Sequence, residues 1–181
     1  MIKRKLTDII LRHLYKGKII LLLGPRQVGK TTLVEQIVKK SNVSTLWMNG
    51  DEKDVRDLLS NTSSTRLKTI IGSHKLMIID EAQRISNIGI TLKLIVDNIK
   101  NVQVIATGSS SLELANQINE PLTGRKYEYF LFPVSFSEMV NHTGLLDEKR
   151  MMEHRLVYGY YPEVVTKQAE EKELLSLLAG S

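Results

Sequence analysis

An α/β fold, a five-stranded parallel sheet with helices on both faces, is what this 181-residue sequence predicts. Three observations carry the prediction. Short aliphatic runs recur five times with helical patterns between them, as in a parallel sheet covered by crossover helices. The runs are apolar throughout rather than alternating, as strands buried on both faces are. The composition, 42% hydrophobic and 25% charged, is globular and sufficient for one domain with a sizeable core.

Leu6, Ile9, Ile10, His13 and Leu14 recur at helical spacing and predict a first helix over about residues 6–15. The run IILLL, residues 19–23, predicts the first strand, and similar runs predict strands at 44–48, 76–79, 102–106 and, with aromatics, 127–132. Helical patterns lie between them: Leu33, Val34, Ile37 and Val38; Val55, Leu58 and Leu59; Leu92, Leu94, Ile95 and Ile99; Leu112, Leu114, Ala115 and Ile118. Ser110 with Glu113 and Ser135 with Glu138 have the hydroxyl-to-carboxylate spacing of a capping box, so each marks a helix start. From residue 141 the sheet pattern gives way to helical segments, MMEHRLVYGYYPEVV and EEKELLSLLAGS. The expected organisation is a domain over 1–140 and a short helical appendage over 141–181. Leu174, Leu175, Leu177 and Leu178 ask for a partner surface just before the final Gly-Ser, which reads as the start of a second region cut short.

The absence of cysteine excludes a disulfide scaffold, a thiolate metal site and thiol catalysis, and it fits a reducing compartment. The longest apolar run, five residues, cannot span a bilayer, and no cleavable signal precedes it. A cytoplasmic protein with no membrane partner is expected. Residues 1–50 hold ten Lys/Arg against two Asp/Glu, while the rest is slightly acidic. Such a basic section attracts phosphates of a nucleotide or of DNA, or is simply a solvated surface. The histidines at 13, 74, 142 and 154 show no metal-ligand spacing.

Between the first strand and the next helix stands Gly24-Pro25-Arg26-Gln27-Val28-Gly29-Lys30-Thr31, followed by Thr32, a match to G-x-x-x-x-G-K-[ST] in its required context. Glycines let successive N–H groups turn inward around phosphate oxygens, and the helix adds its positive N-terminal end. Lys30 is placed to pair with the β and γ phosphates, and the Thr31 hydroxyl to ligate Mg²⁺. The fold class sharpens accordingly to a P-loop NTPase.

About fifty residues on, Leu76, Met77, Ile78 and Ile79 lead into Asp80-Glu81. A carboxylate at the end of a buried parallel strand lies beside the phosphate loop, so Asp80 is the candidate to hold Mg²⁺ through water and Glu81 the candidate to polarise the attacking water. Thr107-Gly108-Ser109-Ser110-Ser111 follows the fourth run and falls at the same carboxyl edge of the sheet. Thr107 or Ser109 there contacts the γ-phosphate or the water, unless the cluster serves only to cap a helix through Ser110.

Together GPRQVGKTTL, LMIIDEAQRI and VIATGSSS resemble the AAA-type ATPases of prokaryotes that carry a C-terminal domain of unknown function. The likeness continues through LTGRKYEYFLFPVSFSEMV and YGYYPEVV, similar to that family's GR-x-x-x-x-x-L-x-P-x-SF-x-E and G-G-Y-P-E-V stretches, and so covers nearly the whole chain. The resemblance implies an AAA-like, additional-strand P-loop fold, ATP or ADP as nucleotide, Mg²⁺ as metal, Lys30 and Thr31 in the phosphate loop, and Asp80 and Glu81 in the acidic motif. In the family pattern the Y-P-E-V stretch leads into a winged-helix-like region and a large further domain, whereas here about twenty residues follow it. The family's glycine pair reads Gly159-Tyr160 here.

Arg125 is the candidate for the cation that AAA-type ATPases present to the γ-phosphate, from the same or a neighbouring subunit. Arg26 and Arg84 are its rivals. Tyr158, Tyr160 and Tyr161 invite a base-stacking reading, set against packing between the sheet domain and its appendage. The function expected is hydrolysis of ATP, with positioning and charge neutralisation doing the catalysis. A small-molecule or nucleotide kinase would need an Arg-rich lid, which is missing; a scaffold that binds nucleotide without turnover is the other alternative. No N-K-x-D guanine-reading stretch occurs. DNA and further copies of the chain are the macromolecular partners left open.

Overall fold

The computed structural model describes residues 2–109, 118, 120–167 and 170–179. The chain runs α1 (Lys5–His13), β1 (Ile19–Leu23), α2 (Lys30–Ser41), β2 (Thr45–Asn49), α3 (Lys53–Leu59), α4 (Ser64–Ile71) and β3 (Leu76–Asp80). After a 3₁₀ turn, Ala82–Arg84, come α5 (Ile88–Asn98), β4 (Gln103–Gly108) and β5 (Lys126–Phe130). Then follow α6 (Phe136–Thr143), α7 (Leu145–Arg150), α8 (Met152–Tyr158), α9 (Pro162–Thr166) and α10 (Glu171–Ala179).

The five strands pair in parallel in the order β2-β3-β4-β1-β5, so β4 lies between the strand of the phosphate loop and the strand of Asp80. The fold is that of a P-loop NTPase. Its apolar runs are strands because both faces of the sheet are covered, and side chains alternate between those faces. Ile19, Leu21, Leu23, Met77, Ile79, Val104 and Ala106 pack with residues of α3, α4 and α5. Ile20, Leu22, Leu76, Ile78 and Ile105 face the other way, against Ile10 of α1 and Leu33, Val34 and Ile37 of α2.

α4 is a helix that the hydrophobic pattern did not announce: only Leu67 and Ile71 are buried along it, and the Ser63 hydroxyl caps it by accepting the Arg66 N–H. The expected helix with Leu112, Leu114 and Ala115, and the Ser110–Glu113 cap, lie outside the described residues, although Ile118 is buried in the core. The other expected capping box is formed, between Ser135 and Glu138 at the start of α6. α6 runs through residue 140, and its Met139 joins Ile2, Val134 and Val165 in a small cluster against which Tyr160 packs. Tyr161 packs against the α1–α2 side of the core. Among the described residues no helix is long and apolar enough to cross a membrane.

Part of the basic surplus of the first fifty residues is taken up by ion pairs, two at the surface and one buried. Lys3 and Lys40 both pair with Asp8, and Arg4 is buried against Glu138.

Candidate nucleotide site

In a parallel sheet every strand delivers its next residue to the same edge, and four of those ends build the site. β1 delivers Gly24, and the backbone then coils through Gln27 at φ +62° and Gly29 at φ +90°, the alternation that turns peptide N–H groups inward. Gly24 is required by contact as well: a Cβ there would stand 2.2 Å from the Leu131 carbonyl oxygen. Arg26 and Gln27 are exposed at the tip, whereas Val28 is buried and anchors the loop on the core. α2 begins at Lys30 and presents Thr31 and Thr32 at its exposed first turn.

Lys30 is buried, and its ammonium donates to the carbonyls of Gly24 at 2.9 Å and Pro25 at 2.8 Å. Burial pushes its pKa below the usual lysine value; the Glu81 and Asp80 carboxylates oppose that shift, and Arg26 adds to it.

β3 ends in Asp80, whose carboxylate is held from two sides. Thr31 Oγ1 donates to Oδ2 at 3.0 Å, and Thr107 Oγ1 donates to Oδ1 from β4. Glu81 follows with a left-handed backbone, φ +51°, its N–H on Thr107 Oγ1 at 3.3 Å and its carboxylate accepting from Gln83 Nε2. β2 closes the flank: the Gly50 N–H donates to the Asp80 carbonyl at 2.8 Å, and a Cβ on Gly50 would meet the Glu81 carbonyl oxygen at 2.4 Å.

These ends enclose a cavity of about 560 Å³ lined by Arg26, Gln27, Gly29, Lys30, Thr31, Thr32, Asp51, Glu81, Arg84, Pro162 and Glu163. A second, more apolar cavity of about 190 Å³ adjoins it, lined by Ile2, Arg4, Leu33, Gln36, Val134 and Thr166 and sharing Gly29, Thr32, Pro162 and Glu163 with the first. The donor set fits Mg²⁺ and polyphosphate: a hydroxyl and a carboxylate oxygen 3.0 Å apart are hard ligands, and a buried ammonium stands beside them.

Most of the expected site residues are therefore brought together. Ser109 follows Gly108, which pairs with Leu23, so it stands at the same edge beside the start of the loop, half-buried. Thr107 rather than Ser109 is the residue that holds the acidic motif. Arg125 is not brought there. It precedes β5 at the edge where the strands begin, its carbonyl accepts the Ile19 N–H at 2.9 Å, and its Nε pairs with Asp97 at 2.8 Å. The length of β1, about 16 Å at roughly 3.3 Å per residue, separates it from the phosphate loop of its own chain. Arg84 does line the cavity, 3.4 Å from Asp51.

Asp51, Pro162 and Glu163 are lining residues that the motif reading did not list. Asp51 had a signal, since it closes the β2 run at the carboxyl edge. Pro162 and Glu163 lie more than 130 residues from the loop, and only their place in the Y-P-E-V stretch marked them.

A family described as an AAA domain matches residues 16–140 of the chain. An uncharacterized protein of Mycobacterium tuberculosis is 33% identical over 119 residues, which is 63% of this chain and 25% of that protein. One from Methanocaldococcus jannaschii is 29% identical over 133 residues, 68% of this chain and 28% of the relative. The chain thus spans about a quarter of the length of the curated relatives it matches. Among solved structures, the Walker-type ATPase of Pyrococcus abyssi is similar with a TM-score of 0.60 at 16% identity, over 91% of this chain and 65% of that one. The RuvB Holliday junction branch migration motor of Thermotoga maritima gives 0.52 at 16% identity, over 77% and 49%. At these identities the likeness is one of fold.

Proposed function

The chain belongs to the AAA domain family, and from that premise we propose that it binds ATP with Mg²⁺ and hydrolyses it by attack of water on the γ-phosphate. The observation that carries the reading is convergence: Lys30, Thr31 and Glu81 line one cavity, and Asp80 stands behind it in hydrogen-bond contact with Thr31. Mg²⁺, when bound, neutralises phosphate charge. The Walker A loop supplies inward N–H groups, and Lys30 exchanges two loop carbonyls for phosphate oxygens. Thr31 would ligate the metal through its hydroxyl, and Asp80 would hold it through water. Glu81, oriented by Gln83, takes a proton from the water whose oxygen forms the new bond to phosphorus; the bond to the bridging oxygen breaks, and ADP and phosphate leave. Ser109 stands where it can contact the γ-phosphate. The apolar cavity beside Gly29 suits the base.

Asp80→Asn separates the metal from the nucleotide. The expected outcome is that the gain in ATP affinity on adding Mg²⁺, seen in the wild-type chain by titration with and without EDTA, disappears while metal-free binding persists. A Mg²⁺ gain equal to wild type would remove Asp80 from the metal site.

A second copy of the chain is the partner this reading includes, because Arg125 faces away from its own site. Arg125→Ala is expected to leave phosphate release per chain unchanged in dilute protein. Rates that rise with concentration, and fall when Arg125→Ala chains are mixed in, place Arg125 in a neighbour's site; a flat concentration series assigns the task to Arg84 or Arg26. DNA is a further partner proposal, resting on exposed Arg12, Lys16 and Lys39 and on the fold likeness to RuvB.

A further inference from the structure

The S-F-x-E stretch at residues 135–138 takes no part in the reaction above, yet its glutamate is buried. Glu138 caps α6, its carboxylate accepting the Ser135 N–H at 3.0 Å and the Ser135 hydroxyl at 3.2 Å. The same carboxylate accepts the Lys5 N–H at 2.8 Å and pairs with Arg4, Nε to Oε2 at 3.3 Å. Capping alone needs neither of the last two contacts.

Arg4 is 7% exposed and reaches past Glu138 to two carbonyls. Nη2 donates to Phe132 at 2.5 Å and Nη1 to Val28 at 3.0 Å. Val28 is inside the phosphate loop, and its carbonyl belongs to the same planar peptide as the Gly29 N–H. In a trans peptide these two groups point to opposite sides, so whatever grips the carbonyl aims the N–H. Gly29, at φ +90° and with no side chain, offers that peptide little resistance to turning over. The loop needs an external hold at this place.

We propose that Arg4, held in turn by Glu138, is a positioning residue of the nucleotide site: it grips the Val28 carbonyl and so keeps the Gly29 N–H directed at the phosphates. The proposal rests on the nucleotide reading of the loop. A guanidinium suits the task because its fixed fork serves two carbonyls and a carboxylate at once, which an ammonium on a flexible stem does not. A buried guanidinium also needs a counter-charge, and Glu138 provides it. Burial by itself would raise the Glu138 carboxyl; the Ser135 and Lys5 N–H groups and the Arg4 charge outweigh it and hold the pKa below the ordinary value. The ion pair is therefore present at neutral pH.

The test uses the full chain, ¹⁵N-labelled, with three readouts: melting, ATP affinity by competition with a fluorescent ATP analogue, and the Gly29 amide resonance. In wild type the Gly29 amide shifts when ATP is added. Arg4→Met is expected to melt cooperatively, to bind ATP about ten- to a hundred-fold more weakly, and to lose most of the Gly29 shift. Glu138→Gln, whose amide oxygen keeps the Ser135 contacts while the Lys5 N–H contact and the charge are lost, moves affinity and shift in the same direction, and Arg4→Lys falls between wild type and Arg4→Met. Variants that lower the melting temperature but keep wild-type affinity and the full Gly29 shift would show a purely structural pair and overturn the proposal. Should Arg4→Met not fold, Arg4→Lys decides on the same two readouts, and wild-type values in it overturn the proposal. A wild-type chain that binds no ATP overturns the nucleotide reading itself, which a loss confined to the variants does not.

Discussion

Glu81→Gln slows phosphate release by about 10²- to 10⁴-fold, the usual worth of a positioned general base, and leaves ATP affinity at the wild-type level. The substitution keeps the shape of a side chain whose backbone is already fixed, its N–H on Thr107 and its carbonyl pressed against Gly50. The capacity to take a proton is removed, together with one negative charge near Lys30. Nucleotide titration and single-turnover phosphate release measure the two halves separately. The outcome that sinks the assignment is an Mg²⁺-dependent loss of binding of the kind expected for Asp80→Asn, because the two carboxylates would then share one role.

Lys30→Ala is expected to weaken ATP binding by on the order of 10²- to 10³-fold, since it removes charge-assisted bonds to two phosphates from a partly desolvated site. Stability should move little. In the nucleotide-free fold the ammonium is buried at some cost and donates to two loop carbonyls, so its removal relieves desolvation as it deletes those bonds. A fluorescent-ATP titration beside a thermal melt separates the two effects. Unchanged affinity would take the phosphate loop out of the reading altogether.

The sheet was legible because β1, β3 and β4 are buried on both faces, and an uninterrupted aliphatic run has few other uses in a chain of this composition. β2 was legible by its place more than by its burial: it is an edge strand, and Trp47 on it is exposed. α4 escaped because a helix that buries two residues four positions apart leaves almost no periodic signal. In the site, the loop and the acidic motif could be read because their chemistry is local, a few residues acting together at one strand end. Arg4 could not. Between Lys3 and Lys5 it looks like one more solvated cation, and its partners Val28, Phe132 and Glu138 are up to 134 positions away, a proximity that only the fold creates. Arg125 failed in the opposite sense: its charge and its setting in Thr-Gly-Arg were visible, and the parallel direction of β5 already puts the residue before that strand at the edge away from the loop.

That direction has a kinetic side. β1 pairs on one flank with β4 and on the other with β5, so its neighbours are supplied by chain some 80 to 110 residues downstream. Contacts that distant close late, since the entropy of long loops is lost before they return anything. The phosphate loop is synthesised before its walls and lacks them until the segments carrying Asp51, Glu81 and Pro162 have reached it. Nucleotide therefore has nothing complete to bind in a partly folded chain. Its binding energy adds only to the finished topology, and a nucleotide-rich environment selects for chains that have reached it.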